Sequence, residues 1–134
     1  MNLPQNAVVA VVDGKKLVLF KNDGQASDIQ LKAMPDAEVD SSKISSGGRH
    51  ASSSANPGDN QQDEDGFTAG VAELLNKRVL DGKIKHLMII AAPRTLGELR
   101  KGYHKALSDV LVGELDKDLT GRPIQEIEKA INAA

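Results

Sequence analysis

Ile84 to Lys101 reads IKHLMIIAAPRTLGELRK, and the parsing of this stretch decides the fold. Ile84 to Ala92 is apolar at nearly every position, the composition of a central strand covered on both faces. Pro93 closes the run. Leu96, Leu99, Tyr103, Leu107 and Val110 then recur at helical spacing, which predicts a helix from Pro93 to about Val110. A strand that hands the chain directly to a helix is the junction at which open α/β sheets bind ligands, and Arg94 stands in it.

Upstream, AVVAVV (Ala7 to Val12) and KLVLFK (Lys16 to Lys21) are apolar runs joined at Asp13-Gly14, a pair suited to the positive φ angles of a tight hairpin. Two antiparallel strands are predicted. After the turn signal Asn22-Asp23-Gly24, the segment DIQLKAM from Asp28 alternates, with Ile29, Leu31 and Ala33 on one side, and predicts a third strand ended by Pro35. From Asp36 to about Gln62 the chain is rich in Ser, Gly, Asp and Asn. That exceeds the roughly 12 to 15 residues an ordered loop without secondary structure reaches, so a mobile polar loop is expected at 36–62. DEDGFTAGVAELLNKRVLDGK, from Asp63, then places acids in a first helical turn, Phe67, Val71, Leu74 and Leu75 on one face, and Gly82 past the end. This is an amphipathic helix.

Downstream, VLVGELDKDLTG, from Val110, reads either as the fraying end of the preceding helix or as a last strand. Pro123 suits a first helical position, and Ile124, Ile127 and Ile131 mark the buried side of a closing helix. With that segment read as a strand, the element order is three strands, helix, strand, helix, strand, helix. It predicts a single α/β domain over residues 1–134, a three-layer mixed sheet whose first three strands are antiparallel and whose later strands alternate with helices. That is the strand order of a ribonuclease H-like sheet, although fold alone does not give function.

Composition removes several functions. The 134 residues contain no cysteine, so disulfides and thiolate chemistry are excluded, which fits a reducing compartment. The N-terminal segment shows no basic leader, and its apolar run is too short for a membrane span of about 20 residues; the expectation is a cytoplasmic protein without membrane insertion. A net charge of -2 exerts no global pull on nucleic acid. Asp36 to Gly66, however, carries seven acids against Lys43 and Arg49, a balance of -5, so the rest of the chain holds +3.

Four arrangements merit weighing as sites. Thr95 and Glu98 stand as T-x-x-E, a capping box that would satisfy free amides at the helix start, and Arg94 beside that helix end would favour an anion. Arg100, Lys101, His104 and Lys105 lie on the helix face away from Leu96, Leu99, Tyr103 and Leu107. As a basic stripe they are either a solvated face or a contact for RNA phosphates. Glu114, Asp116 and Asp118 fall two apart, so on an extended strand their carboxylates would face one way, as Mg²⁺ requires or as a half-exposed edge strand displays anyway. Asp13 could begin a nuclease cluster, yet Ala91-Ala92-Pro93 ends the central strand where a second acid would be needed. No G-x-S-x-G elbow and no phosphate-binding glycine loop is present.

Several segments together resemble the bacterial host attachment family: the opening strand of VVVDG type, GRHA from Gly48, FTAGVAELLN from Phe67, AAPRTLGELR from Ala91 and VGELDKDLT from Val112. That family is similar in turn to a group related to the middle domain of archaeal and eukaryotic peptide-chain release factors. The resemblance spans nearly the whole chain, while the loop SSSANPGDNQQ after GRHA is more polar than the family pattern. It draws Arg49 and His50 into the candidate binding set, beside Arg94, Arg100, Lys101, His104 and Lys105. Taken with the incomplete acid cluster and the N-terminal segment's lack of a leader pattern, the expectation is a non-catalytic binding or regulatory protein, without cofactor, whose role in attachment to host cells is indirect through a protein partner. A ribosome- or RNA-associated factor is the alternative, and a metal-dependent phosphoesterase the third. Oligomeric state is left open.

Overall fold

The computed structural model describes residues 3–40 and 58–134, with backbone only over residues 58–62. In chain order the elements are β1 (Val8–Val12), β2 (Leu17–Asn22), β3 (Leu31–Ala33), α1 (Gly58–Leu80), β4 (Leu87–Ala91), α2 (Pro93–Arg100), α3 (Lys105–Val110), β5 (Leu111–Leu115) and α4 (Ile124–Ala133). The strands form one mixed sheet in the order β3-β2-β1-β4-β5. β1, β2 and β3 pair antiparallel, whereas β4 lies parallel to both β1 and β5. The chain is thus α/β, as its element order predicts.

β1 and β4 are buried at every position because their alternating side chains enter two different cores. Val8, Ala10, Val12, Leu87, Ile89 and Ala91 pack with Val71, Leu75, Leu96, Leu99 and Leu107 on the side of α1, α2 and α3. Val9, Val11, Met88 and Ile90 pack with Leu3, Phe20, Leu31, Ile127 and Ile131 on the side of α4. Helices on both faces explain why neither strand alternates in sequence.

Several boundaries differ from expectation. The Asp13 carboxylate accepts from the Lys15 and Lys16 amides at 2.7 and 2.6 Å, so the hairpin turns on an Asx bond. Gly14 does not take a positive φ; it leaves room for α1, where a Cβ would meet the Glu64 side chain at 2.7 Å. β3 keeps only three residues, and Ala33 is exposed while Ile29 and Leu31 are buried. The backbone ahead of it is committed elsewhere: Gln25 and Asp28 bond reciprocally at 3.1 Å, and the Gln30 amide donates to Oδ1 of the fully buried Asn22 at 3.0 Å. Asn22 in turn donates to the Leu3 carbonyl at 2.8 Å.

α1 begins at Gly58 rather than Asp63. Residues 58–62 (GDNQQ) carry no apolar side chain, so the periodic signal starts late. Only the two ends of the expected 36–62 loop are described, residues 36–40 as a segment outside helix and strand; its middle, 41–57, lies outside the described residues. The Asp40 carbonyl rests directly on Gly70, where any Cβ would strike it.

The predicted helix from Pro93 to Val110 is two helices. Asn76 of α1 donates to the Gly102 carbonyl at 2.8 Å and accepts from the His104 amide at 2.9 Å, and these bonds hold the chain open between α2 and α3. The capping box is also corrected. α2 starts at Pro93 with Ala92 as its N-cap and no side-chain cap bond, because proline presets the first helical φ. Thr95 is therefore already inside the helix. Pro123 precedes α4 as its N-cap, one position earlier than expected. The unresolved choice over VLVGELDKDLTG falls to a strand, β5, at the sheet edge.

Candidate functional site

The registers Val12↔Ala91 and Ile90↔Leu115 bring the C-terminal ends of β1, β4 and β5 side by side. Asp13, Arg94 and Asp116 leave the sheet there. Arg94 is exposed in the first turn of α2 and has no ion-pair partner among the described residues. Glu98, expected at the helix start, instead accepts from Lys101 at 2.8 Å near the opposite end of α2. Nearby, a groove of about 420 Å³ opens between the β1–β2 turn, residues 36–39 and Phe67. Lys15 and Lys16 face Asp36 and Glu38 across it, a mixture that selects neither cations nor anions.

The basic stripe is distributed over the break between helices. Arg100 ends α2, Lys101 follows it, His104 caps α3 and Lys105 begins it. Each is also engaged: Lys101 with Glu98, Lys105 with Asp109 at 3.6 Å, and His104 through Nδ1, which accepts from the Ala106 amide at 3.0 Å. The Glu98 hydrogen bond holds the Lys101 ammonium above its usual pKa. These side chains remain exposed, yet their charge is largely answered within the protein.

Arg100 has the firmest partner. Glu114 on β5 sits opposite Ile89, which turns its carboxylate to the α2–α3 side of the sheet. Arg100 Nη2 donates to Glu114 Oε1 at 2.7 Å, and Tyr103 donates its hydroxyl to Oε2 at 2.8 Å. Burial pushes the Glu114 pKa up, but the hydrogen bonds from Arg100 and Tyr103 with the guanidinium charge outweigh it and hold the carboxylate below its usual range. The Tyr103 hydroxyl is pushed far up by burial first, then by its bond to Glu114 and that group's charge. Tyr103 was legible only as a core-facing residue; the one signal for its polar task is that a half-buried tyrosine hydroxyl needs a partner.

The three-carboxylate arrangement does not form. β5 ends at Leu115, so Asp116 and Asp118 leave the extended register that would have aligned them with Glu114, and Asp118 accepts from the Thr120 amide at 3.3 Å. Among the described residues no three His, Asp or Glu side chains gather as a metal site. His86 is exposed at the mouth of β4. Arg49 and His50, with the whole GRHA motif, lie outside the described residues. No described helix is long and apolar enough to cross a membrane.

A family model described as bacterial archaeo-eukaryotic release factor family 12 matches residues 6–131. No curated protein matches the chain. The match covers the sheet, α1 to α3 and α4 as far as Ile131, and it supports the release-factor side of the resemblance; it lends nothing to attachment to host cells.

Proposed function

We propose that this chain, which belongs to the bacterial archaeo-eukaryotic release factor family 12, is a cytoplasmic ribosome-associated protein that binds RNA and performs no covalent chemistry of its own. The observation that carries the reading is the family match over residues 6–131. The sheet order β3-β2-β1-β4-β5, with β4 and β5 parallel to β1, supports a ribonuclease H-like framework of the kind translation proteins use. Binding is favoured over hydrolysis because the carboxylates that a two-metal site would recruit are occupied: Asp13 holds the β1–β2 turn and Glu114 holds Arg100 and Tyr103. An indirect part in attachment to host cells has only the sequence resemblance behind it.

The test is co-sedimentation of the purified full chain with bacterial ribosomes at low salt. Ribosome-bound protein that is released as salt rises is the expected result. A chain that stays in the supernatant at every ionic strength refutes the proposal, and phosphodiester cleavage abolished by chelation would establish the phosphoesterase reading in its place.

A further inference from the structure

Lys21 of β2 and Lys32 of β3 are direct cross-strand partners. Lys21 shares a sheet face with Leu17 and Leu19, which pack on the α1 side, so both lysines project from that face. Both are exposed. Like charges placed directly opposite destabilise a sheet. For Lys32 the position on an edge strand supplies an explanation, since lysines there discourage strand-to-strand aggregation. That explanation fails for Lys21, because β2 is paired on both sides. Asp23 answers only Lys32, at 3.3 Å, and Lys21 has no ion-pair partner among the described residues.

The same end of the sheet collects more positive charge. α1 passes Gly14, at the C-terminal end of β1, with its Glu64 and ends at Leu80, and the chain then enters β4 beside Val8 at the opposite end. Lys77 and Arg78 occupy the last turn of α1, and Lys83 and Lys85 stand exposed in the segment leading to β4. Lys83 and Lys85 also lack an ion-pair partner among the described residues. Six cations here face Asp23, Asp28, Asp81 and Glu128, whose carboxylate accepts from the Leu31 amide at 2.7 Å, a balance of +2 that leaves -4 for the remainder of a chain of net charge -2. The N-terminal ends of β1 and β4 thus carry a net positive charge in a chain that is net negative.

We propose that this end of the sheet, centred on the Lys21–Lys32 pair with Lys83 and Lys85, is the surface that receives the RNA phosphate backbone. The inference rests on the ribosome-associated reading above and names the face through which it operates. A phosphate placed between Lys21 and Lys32 would replace their repulsion with two charge-assisted bonds. Around α2 and α3, Arg100, Lys101 and Lys105 each have an acid beside them, as Lys32 does, whereas Lys21, Lys83 and Lys85 have none among the described residues.

The experiment measures binding of the full chain to bacterial ribosomes, and to protein-free ribosomal RNA, across a salt series. It compares wild type, Lys21→Gln with Lys32→Gln, and Lys101→Gln with Lys105→Gln; circular dichroism melts verify folding, and no substituted side chain is buried. Losing two phosphate contacts should lower the slope of log affinity against log salt by about 1.4 to 1.8 for the first variant and leave the second unchanged. Wild type that binds neither probe overturns the ribosome-associated reading together with this one. Wild-type binding with an unchanged slope in the Lys21/Lys32 variant overturns only the surface assigned here. A loss seen on ribosomes, with no binding to protein-free RNA, would identify an acidic protein as the partner and also overturn it.

Discussion

Nη2 and Nε of Arg100 both reach the same oxygen of Glu114, Oε1, at 2.7 and 3.1 Å. The guanidinium fork closes mainly on one oxygen, and the other stays available to the Tyr103 hydroxyl. Three segments are joined at this carboxylate: the end of α2, the α2–α3 connection and β5. Arg100 is more than half exposed, whereas the Glu114 side chain is 18% exposed, so solvent reaches the pair from the arginine side and screens its attraction.

Acid should undo this junction. Because the folded-state pKa of Glu114 lies below its unfolded value, its contribution is complete above roughly pH 5 and is lost as pH falls through the depressed folded value. Glu114→Gln should therefore melt at a lower temperature than wild type at pH 7, and the gap should narrow toward pH 3. Thermal melts at four or five pH values test this; a gap independent of pH contradicts the assignment.

Tyr103→Phe removes one charge-assisted hydrogen bond and leaves the ring packing intact. The expected cost is about 1.5 to 2 kcal/mol in urea denaturation, together with a rise in the Glu114 pKa visible by carboxyl NMR titration. An unchanged Glu114 titration would show that the hydroxyl does not reach it in solution.

Asn22→Ala should be at least as damaging. Its side chain accepts from the Gly24 and Gln30 amides and donates to the Leu3 carbonyl from a site with no solvent exposure. Truncation leaves the buried Leu3 carbonyl and the part-buried Gly24 and Gln30 amides without this partner, for an expected loss of about 2 kcal/mol. Hydrogen exchange should show the first residues and the β2–β3 turn opening together, since Asn22 is what ties them.

Lys21→Glu should move stability and binding in opposite directions. Facing Lys32, a glutamate converts a repulsive cross-strand pair into an attractive one, a gain of about 0.5 kcal/mol. Ribosome binding should weaken in the same variant. Parallel losses of both would place Lys21 in the framework rather than in an interface.

Gly70→Ala drives a methyl group into the Asp40 carbonyl and within 2.9 Å of a Val39 methyl. The neighbours are backbone and a packed side chain, so the residues 37–40 must lift from α1. A cost of about 2 kcal/mol is expected, read by chemical denaturation.

The central strands and the closing helix were legible in the sequence because burial on both faces, or on one helical stripe, writes itself into residue type: Val8–Val12 and Leu87–Ala91 as unbroken apolar runs, Ile127 and Ile131 as a periodic one. Features set by contacts between distant residues were not. The break between α2 and α3 depends on Asn76, more than twenty residues upstream, and the local pattern of Leu99, Tyr103 and Leu107 runs across it undisturbed. T-x-x-E at Thr95 is a true capping pattern, overruled by the proline two residues before it. At the level of sites, Arg100 was identified as basic and Glu114 as acidic, but their pairing across the helix-to-sheet gap follows from register. The Lys21–Lys32 pairing likewise needed the alignment of β2 with β3, which neither segment states alone.

Val8 pairs with Lys21 on one side and with Leu87 on the other, so the middle strand of the sheet acquires its two neighbours at very different stages. The β1–β2–β3 meander closes through short loops and can assemble early, while β4 arrives only after a long excursion has been brought back, at a high entropic toll. During that interval one flank of the most apolar strand stands open to any extended chain nearby. Refolding yield should accordingly fall with protein concentration, and a nascent chain truncated before Leu87 should be far more aggregation-prone than the finished one.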